Sequence, residues 1–280
     1  MESIFSRVMM ETPPSLYIKA LSLVTLVAIG VLGLLEVAGK HLGYSKFYNF
    51  SSQNRAKMSS RAGMLLLYTP AFLAGLASLL LLVPHTNDLR FLLLTLALTI
   101  HFFKRVFEVL FIHKYSGAMV IDSAILISFS YFFSTANMIY CHYKLYPTLQ
   151  DTAGNDGEQS STTFIDMKYI GVVLFLIGIA GNLYHHCLLS QLRKKGDKES
   201  SSTYKIPKGG LFGLVICPHY LFEILAFVGI SFISQTLYAY CFTLATIFYL
   251  MGRSCATRRW YLSKFEDFPK HVKALLPFLF

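Results

Sequence analysis

Residues 211–251 read LFGLVICPHYLFEILAFVGISFISQTLYAYCFTLATIFYLM, a tract that holds one glutamate and no lysine or arginine. A helical bilayer span needs roughly 20 apolar residues, so the tract is too long for one helix and sufficient for two. It divides at Ser234–Gln235, which predicts two helices in a tight hairpin. Working outward, Ala20–Ala38, Ala62–Val83, Phe91–Ile112, Val120–Tyr140 and Tyr169–Leu189 are apolar runs of similar length. The expectation is an all-α integral membrane protein, a bundle of seven transmembrane helices.

Composition agrees. Aliphatic and aromatic residues make up 54% of the 280 positions and charged residues 14%, where a soluble domain carries about 25% charged residues. Met1–Ser15 holds two acids and two prolines before any apolar core, so the first run reads as a retained span rather than a cleaved signal. The five cysteines, Cys141, Cys187, Cys217, Cys241 and Cys255, are scattered singly and suggest neither a zinc site nor a disulfide framework.

Twenty of the 25 basic residues fall in the segments that follow spans one, three, five and seven or at the inner end of the third span. By the positive-inside rule the N-terminus faces the lumen and the C-terminus the cytosol. The net charge of +10 is then an orientation signal and not a nucleic-acid patch. Thr148–Thr163 and Gly196–Thr203 read as flexible loops, and no internal repeat or second soluble domain is visible.

Ionisable groups at membrane depth are costly and mark candidate sites. His101, Arg105 and Glu108 share one face of the third span, and Lys104–Glu108 is an i,i+4 pair whose lysine can snorkel from a helix end. In the fifth span Asn182, His185 or His186, Leu189 and Arg193 form a stripe; a buried Asn182 needs partners on both its carbonyl and its amide. In the sixth, His219 and Glu223 lie one turn apart beyond Pro218, which permits a kink. Five histidines lie near these spans, but only the His185–His186 doublet approaches a metal-binding box, so no metal site is expected.

The C-terminal run carries the most specific pattern. Tyr204-Lys-Ile-Pro207-Lys-Gly209-Gly210-Leu-Phe212 precedes Cys217-Pro-His-Tyr-Leu-Phe-Glu223, and Tyr261-Leu-Ser-Lys-Phe-Glu-Asp-Phe-Pro-Lys270 leads to the C-terminus. This resembles the C-terminal domain of the steroid 5α-reductase family. The resemblance is strong over Tyr204–Phe280, weaker back to Asn182, and touches His101–Phe111. It divides the chain into an N-terminal transmembrane part, residues 1–120, and a reductase domain, residues 121–280.

The resemblance implies an endoplasmic reticulum enzyme that encloses NADPH from the cytosolic side, without a Rossmann domain, since no GxGxxG occurs. Carried over by position, Arg105, Asn182, Arg193, Lys205, Glu223, Arg253 and Tyr261 line the cofactor cavity, and His219 stands where steroid reductases often have Asn. The implied chemistry is reduction of a carbon–carbon double bond conjugated to a carbonyl, with a hydrogen-bond donor aimed at the carbonyl oxygen. Steroid reductases place a Glu in the second helix and a Tyr after the third-helix His for this task. The matching positions here are Tyr68 and Phe102. Enoyl-CoA reductases instead use the Tyr of a C-P-N-Y-x-x-E motif, which matches Tyr220. Tyr68 and Tyr220 are therefore the candidate catalytic residues. A steroid-like or other lipid enone is the leading substrate class. Trans-2-enoyl-CoA, a polyprenol, and a lipid-binding role without chemistry stand as alternatives.

Overall fold

The structure, a computed structural model, describes residues 7–10, 15–47, 55–115, 117–154, 164–192 and 204–280. Seven long helices follow one another: α1 (Leu16–Val37), α2 (Ser60–Leu81), α3 (Leu89–Phe107), α4 (Ile121–Gly154), α5 (Lys168–Gln191), α6 (Pro218–Ser234) and α7 (Leu237–Lys264). Four of these regions, Leu16–Val37, Ser60–His85, Ile121–Leu145 and Lys168–Gln191, are long and apolar enough to cross a membrane, and Pro218–Ser234 is a shorter apolar helix.

Four of the helices begin at side-chain caps that the sequence offers. Ser15, Ser59, Asp88 and Thr236 accept backbone N–H bonds from Ile18, Ala62, Arg90 and Ala239 and so satisfy donors that a helix N-terminus leaves open. Two strands, Lys57–Ser59 and Ala118–Val120, pair antiparallel and tie the entry to α2 to the entry to α4. This ribbon was not foreseen in an all-α reading; three residues a side carry too little alternation to be seen.

Four expectations need correction. The sixth helix starts at Pro218 rather than Leu211, because Gly210–Gly213 forms a 3-10 turn. Pro218 lies in the first turn of α6, where its missing N–H costs nothing, so it opens the helix instead of kinking it. The seventh helix runs to Lys264 and so carries Arg253 in its interior. The fourth runs to Gly154, so the first part of Thr148–Thr163 is helical; residues 155–163 and 193–203 lie outside the described residues.

The hairpin break falls where it was expected. Gln235 has φ 49° and separates α6 from α7. Its amide donates to Val8 O (2.7 Å) and Ile165 O (2.9 Å), and its carbonyl accepts from Arg90 (2.8 Å) and Met167 N (2.8 Å). Arg90 also reaches Asp166 at 2.6 Å. This knot, with Gln235 and Arg90 buried at its centre, closes the end of the bundle away from the cavity described below.

Close packing depends on small residues. A Cβ on Gly171 would lie 2.6 Å from Gly229 O, and one on Gly178 would fall on the backbone of Ala226, so α5 and α6 touch backbone to backbone. One core cluster, with Phe91, Leu94, Phe227 and Tyr238, fills the centre; a second, with Leu67, Tyr68, Phe102 and Met119, joins α2, α3 and α4.

Candidate active site

A cavity of about 730 Å³ opens among the helices at the end that carries the 36–47, 105–118 and 204–223 segments. Its lining includes Lys46, Arg105, Lys114, Lys205 and Arg253, but Glu223 alone among the acids of the described residues. A cavity with that balance suits an anionic ligand.

Arg105 is the hub of one wall. Its guanidinium donates to the hydroxyl of Tyr68 at 2.6 Å and lies 4.6 Å from the centre of that ring. It also bonds Glu108 (3.2 Å) and approaches Glu223 (3.8 Å). Glu108 is fully buried and bonds Lys104 (2.9 Å) and His186 (3.0 Å) as well. One π turn, Glu108–Ile112, continues α3 here and carries Glu108 inward. Lys104 does not snorkel: it is buried and donates to Glu108 and to the Asn182 carbonyl. Asn182 in turn donates to His219 O at 2.7 Å and to Glu223 at 3.5 Å, so both ends of its amide are satisfied.

Glu108, His113 and His186 bring potential metal ligands within 4.8 Å of one another. Lys104 and Arg105 already compete for the same carboxylate oxygens. The group is therefore better described as a countercharge that fixes Arg105 than as a cation site.

The opposite wall is built on Arg253. It is 1% exposed, pairs with Glu36 at 2.7 Å, and is sandwiched 4.2 Å from both Tyr44 and Phe47. Glu36 also accepts from Leu42 N (3.2 Å) and bonds His41 (2.6 Å), so the end of α1 and the loop after it are tied to α7. Lys46 follows in that loop. Its ammonium lies 4.5 Å from the Tyr261 ring and 5.3 Å from Trp260. Burial lowers its pKa to about 8; Cys217 opposes this shift and Arg253 adds to it.

The Gly-Gly-Leu-Phe segment has its own geometry. Gly209 and Gly210 have φ of 86° and 51°, and a Cβ on Gly210 would stand 2.7 Å from His185 Nε2. That nitrogen accepts from Leu211 N (3.1 Å), while His185 Nδ1 donates to Gly181 O (2.7 Å). His185 is thus a clamp on the segment, and His186 is the member of the doublet that faces the cavity.

The sequence profile described as 3-oxo-5-alpha-steroid 4-dehydrogenase matches residues 119–280. The chain is 32% identical over 265 residues to the 3-oxo-5-alpha-steroid 4-dehydrogenase 2 of Macaca fascicularis, covering 91% of this chain and 94% of the relative. The chain belongs to the 3-oxo-5-alpha-steroid 4-dehydrogenase family. The human 3-oxo-5-alpha-steroid 4-dehydrogenase 2 is 31% identical with the same coverage. A very-long-chain enoyl-CoA reductase of Dictyostelium discoideum is 30% identical over 184 residues, 65% of this chain and 55% of that protein.

Of the residues singled out in the sequence of this family member, Tyr68, Arg105, Lys205, His219, Tyr220, Glu223, Arg253 and Tyr261 all line the one cavity. Asn182 lies behind the wall as a partner of His219 and Glu223. Arg193 lies outside the described residues. His101 is buried against Phe102 and Phe227 and does not line the cavity. Glu36, Tyr44, Lys46, Tyr131 and Tyr249 were missed. Glu36 lies just inside the end of the first apolar run, and a lone carboxylate there was the signal available.

The cavity suits NADPH on two counts. Its cations outnumber its carboxylates among the described residues. Two buried polar atoms on its lining residues, His219 Nδ1 and Arg105 Nε, have no hydrogen-bond partner among the described residues.

Proposed function

We propose that this protein is an NADPH-dependent reductase of a carbon–carbon double bond conjugated to a carbonyl in a steroid-like or other lipid substrate. It works in the endoplasmic reticulum membrane as a seven-span bundle with its N-terminus in the lumen. Arg105, Lys205, Arg253, Tyr261, His219 and Glu223, backed by Asn182, hold the cofactor; Arg193 completes the basic set, and Lys46 joins it. Guanidinium and ammonium groups are the natural partners of its phosphates.

One observation carries the chemical reading: Tyr68 accepts a hydrogen bond from Arg105 inside this cavity. A phenol oxygen occupied by a guanidinium keeps its own proton to donate. The phenol thereby does the work of the missing second-helix acid. Bound NADPH supplies the hydride that adds to the carbon β to the carbonyl. Tyr68 donates to the carbonyl oxygen as negative charge gathers there. It then gives its proton towards the α-carbon, and Arg105 stabilises the phenolate until solvent reprotonates it. The buried Glu108 and Glu223 keep the guanidinium in place.

The similarity to an enoyl-CoA reductase supports a second reading. Tyr220 enters the cavity from α6 beside His219, ring to ring at 4.3 Å, and would be the donor to a thioester carbonyl. NADPH oxidation by the purified protein, with a 3-oxo-Δ4 steroid and a long-chain trans-2-enoyl-CoA offered separately, tests both. Steroid turnover lost in Tyr68→Phe supports the first reading. Thioester turnover lost in Tyr220→Phe supports the second. No NADPH binding would overturn both.

A further inference from the structure

The geometry points to Tyr131 as a second hydrogen-bond donor to the substrate carbonyl, and we infer that it replaces the phenol absent from Phe102. This inference rests on the enone-reductase reading of the cavity. Phe102 occupies the third-helix position at which the family resemblance implies a tyrosine, so one of two expected donors has been lost.

A phenol stands next to it. The Tyr131 ring, on α4, meets Phe102 edge-on at 5.5 Å and lies 5.7 Å from the ring of Tyr68, tilted by 33°. Tyr68 and Phe102 belong to one buried cluster against which Tyr131 packs, and Tyr131 and Tyr68 both line the cavity. The face of α4 that carries Tyr131 is held towards α2. Ser128, one turn earlier, donates to Leu66 O at 2.7 Å, and Leu66 lies two residues from Tyr68.

The hydroxyl of Tyr131 is available. It makes no hydrogen bond to a described residue, yet lies within electrostatic range of Tyr68, Arg105 and Glu223. Of the other cavity phenols, Tyr44 and Tyr249 bond each other at 3.1 Å, and Tyr261 reaches Lys205 O. Tyr220 lies on α6, apart from the Tyr68 cluster. A carbonyl oxygen placed at Tyr68 therefore meets a second donor in Tyr131. Tyr131 keeps its proton throughout and only shares it. Two donors fix the plane of the carbonyl as well as stabilising its charge, so the pair also selects substrates whose carbonyl points into the α2–α4 wall.

The test uses the full chain in detergent with NADP+ bound, which permits binding of a 3-oxo-Δ4 steroid without reduction. The steroid carries a 13C-labelled 3-carbonyl, and its infrared stretch is recorded. In the wild-type protein the stretch lies below its value in detergent alone. Tyr131→Phe and Tyr68→Phe each raise it, and Phe102→Tyr added to Tyr131→Phe lowers it again. With NADPH, Tyr131→Phe reduces kcat/KM on the order of 100-fold, leaves the Kd of NADPH unchanged, and is partly rescued by Phe102→Tyr. A wild-type stretch and wild-type kcat/KM in Tyr131→Phe overturn the inference and leave the reductase reading standing. No steroid binding by the wild-type protein overturns the inference together with the steroid form of that reading.

Discussion

Replacing Glu36 by Gln isolates the contact that joins the first helix to the last. Glu36 and Arg253 are each 1% exposed and meet at 2.7 Å, with His41 and Leu42 N on the same carboxylate. Removing one charge of a buried pair costs about 3–5 kcal/mol, because the other is left without compensation. The Gln carbonyl can still accept from Arg253, and Tyr44 and Phe47 still sandwich the guanidinium. The cost should therefore lie near the lower bound, about 3 kcal/mol. At about 2–4 °C per kcal/mol for a chain of this size, the melting temperature in detergent falls by roughly 6–12 °C. Arg253→Met alone is also destabilising, and the double variant loses much less than the sum, since it buries no lone charge. A Glu36→Gln protein that melts with the wild type, or strictly additive losses, would refute the view that this pair anchors α1 to α7.

Other consequences follow from single contacts. Lys46, lowered by burial to about 8, is charged below that pH and neutral above it. The Kd for NADPH should therefore rise as pH passes from 7 to 9, read by quenching of Trp260, the chain's one tryptophan, while Lys46→Arg removes the dependence. Between pH 8 and the ordinary lysine range the unfolded chain binds the extra proton, so this same group makes folding more favourable as pH rises. Gly178→Val forces α5 away from Ala226 and should cost about 2 kcal/mol or more, measured as lost melting temperature. Gln235→Ala takes the partner from Met167 N and Ile165 O, while Arg90 keeps Asp166 and Ile233 O and Val8 O keeps Tyr240, and should cost about 2 kcal/mol; the Kd of NADPH, proposed to bind at the far end, should not change.

Helices were legible because the apolar runs are long and interrupted by turns. Tyr169–Leu189 became Lys168–Gln191, and Ser234–Gln235 marks the hairpin. The start of α6 was misplaced because residues 211–217 are as apolar as a helix. Only the backbone demands at Gly209 and Gly210 distinguish them. Within the site, residues already suspicious as buried polar or charged groups, Arg105, Glu108, Asn182 and Glu223, were visible. Glu36 and Lys46 were not, since near a span end both look like ordinary interfacial groups. Tyr131 was hidden among 17 tyrosines, and only its nearness to Tyr68 and Phe102 sets it apart.

Label transfer is the most direct test of the reductase reading. NADPH deuterated on the transferred position of the nicotinamide is incubated with the purified protein and a 3-oxo-Δ4 steroid, and the steroid is analysed by mass spectrometry. One deuterium at the β-carbon of a reduced product, lost with Tyr68→Phe, is the predicted result. NADPH bound in the cavity with no label reaching any enone or enoyl thioester would contradict the proposed reaction.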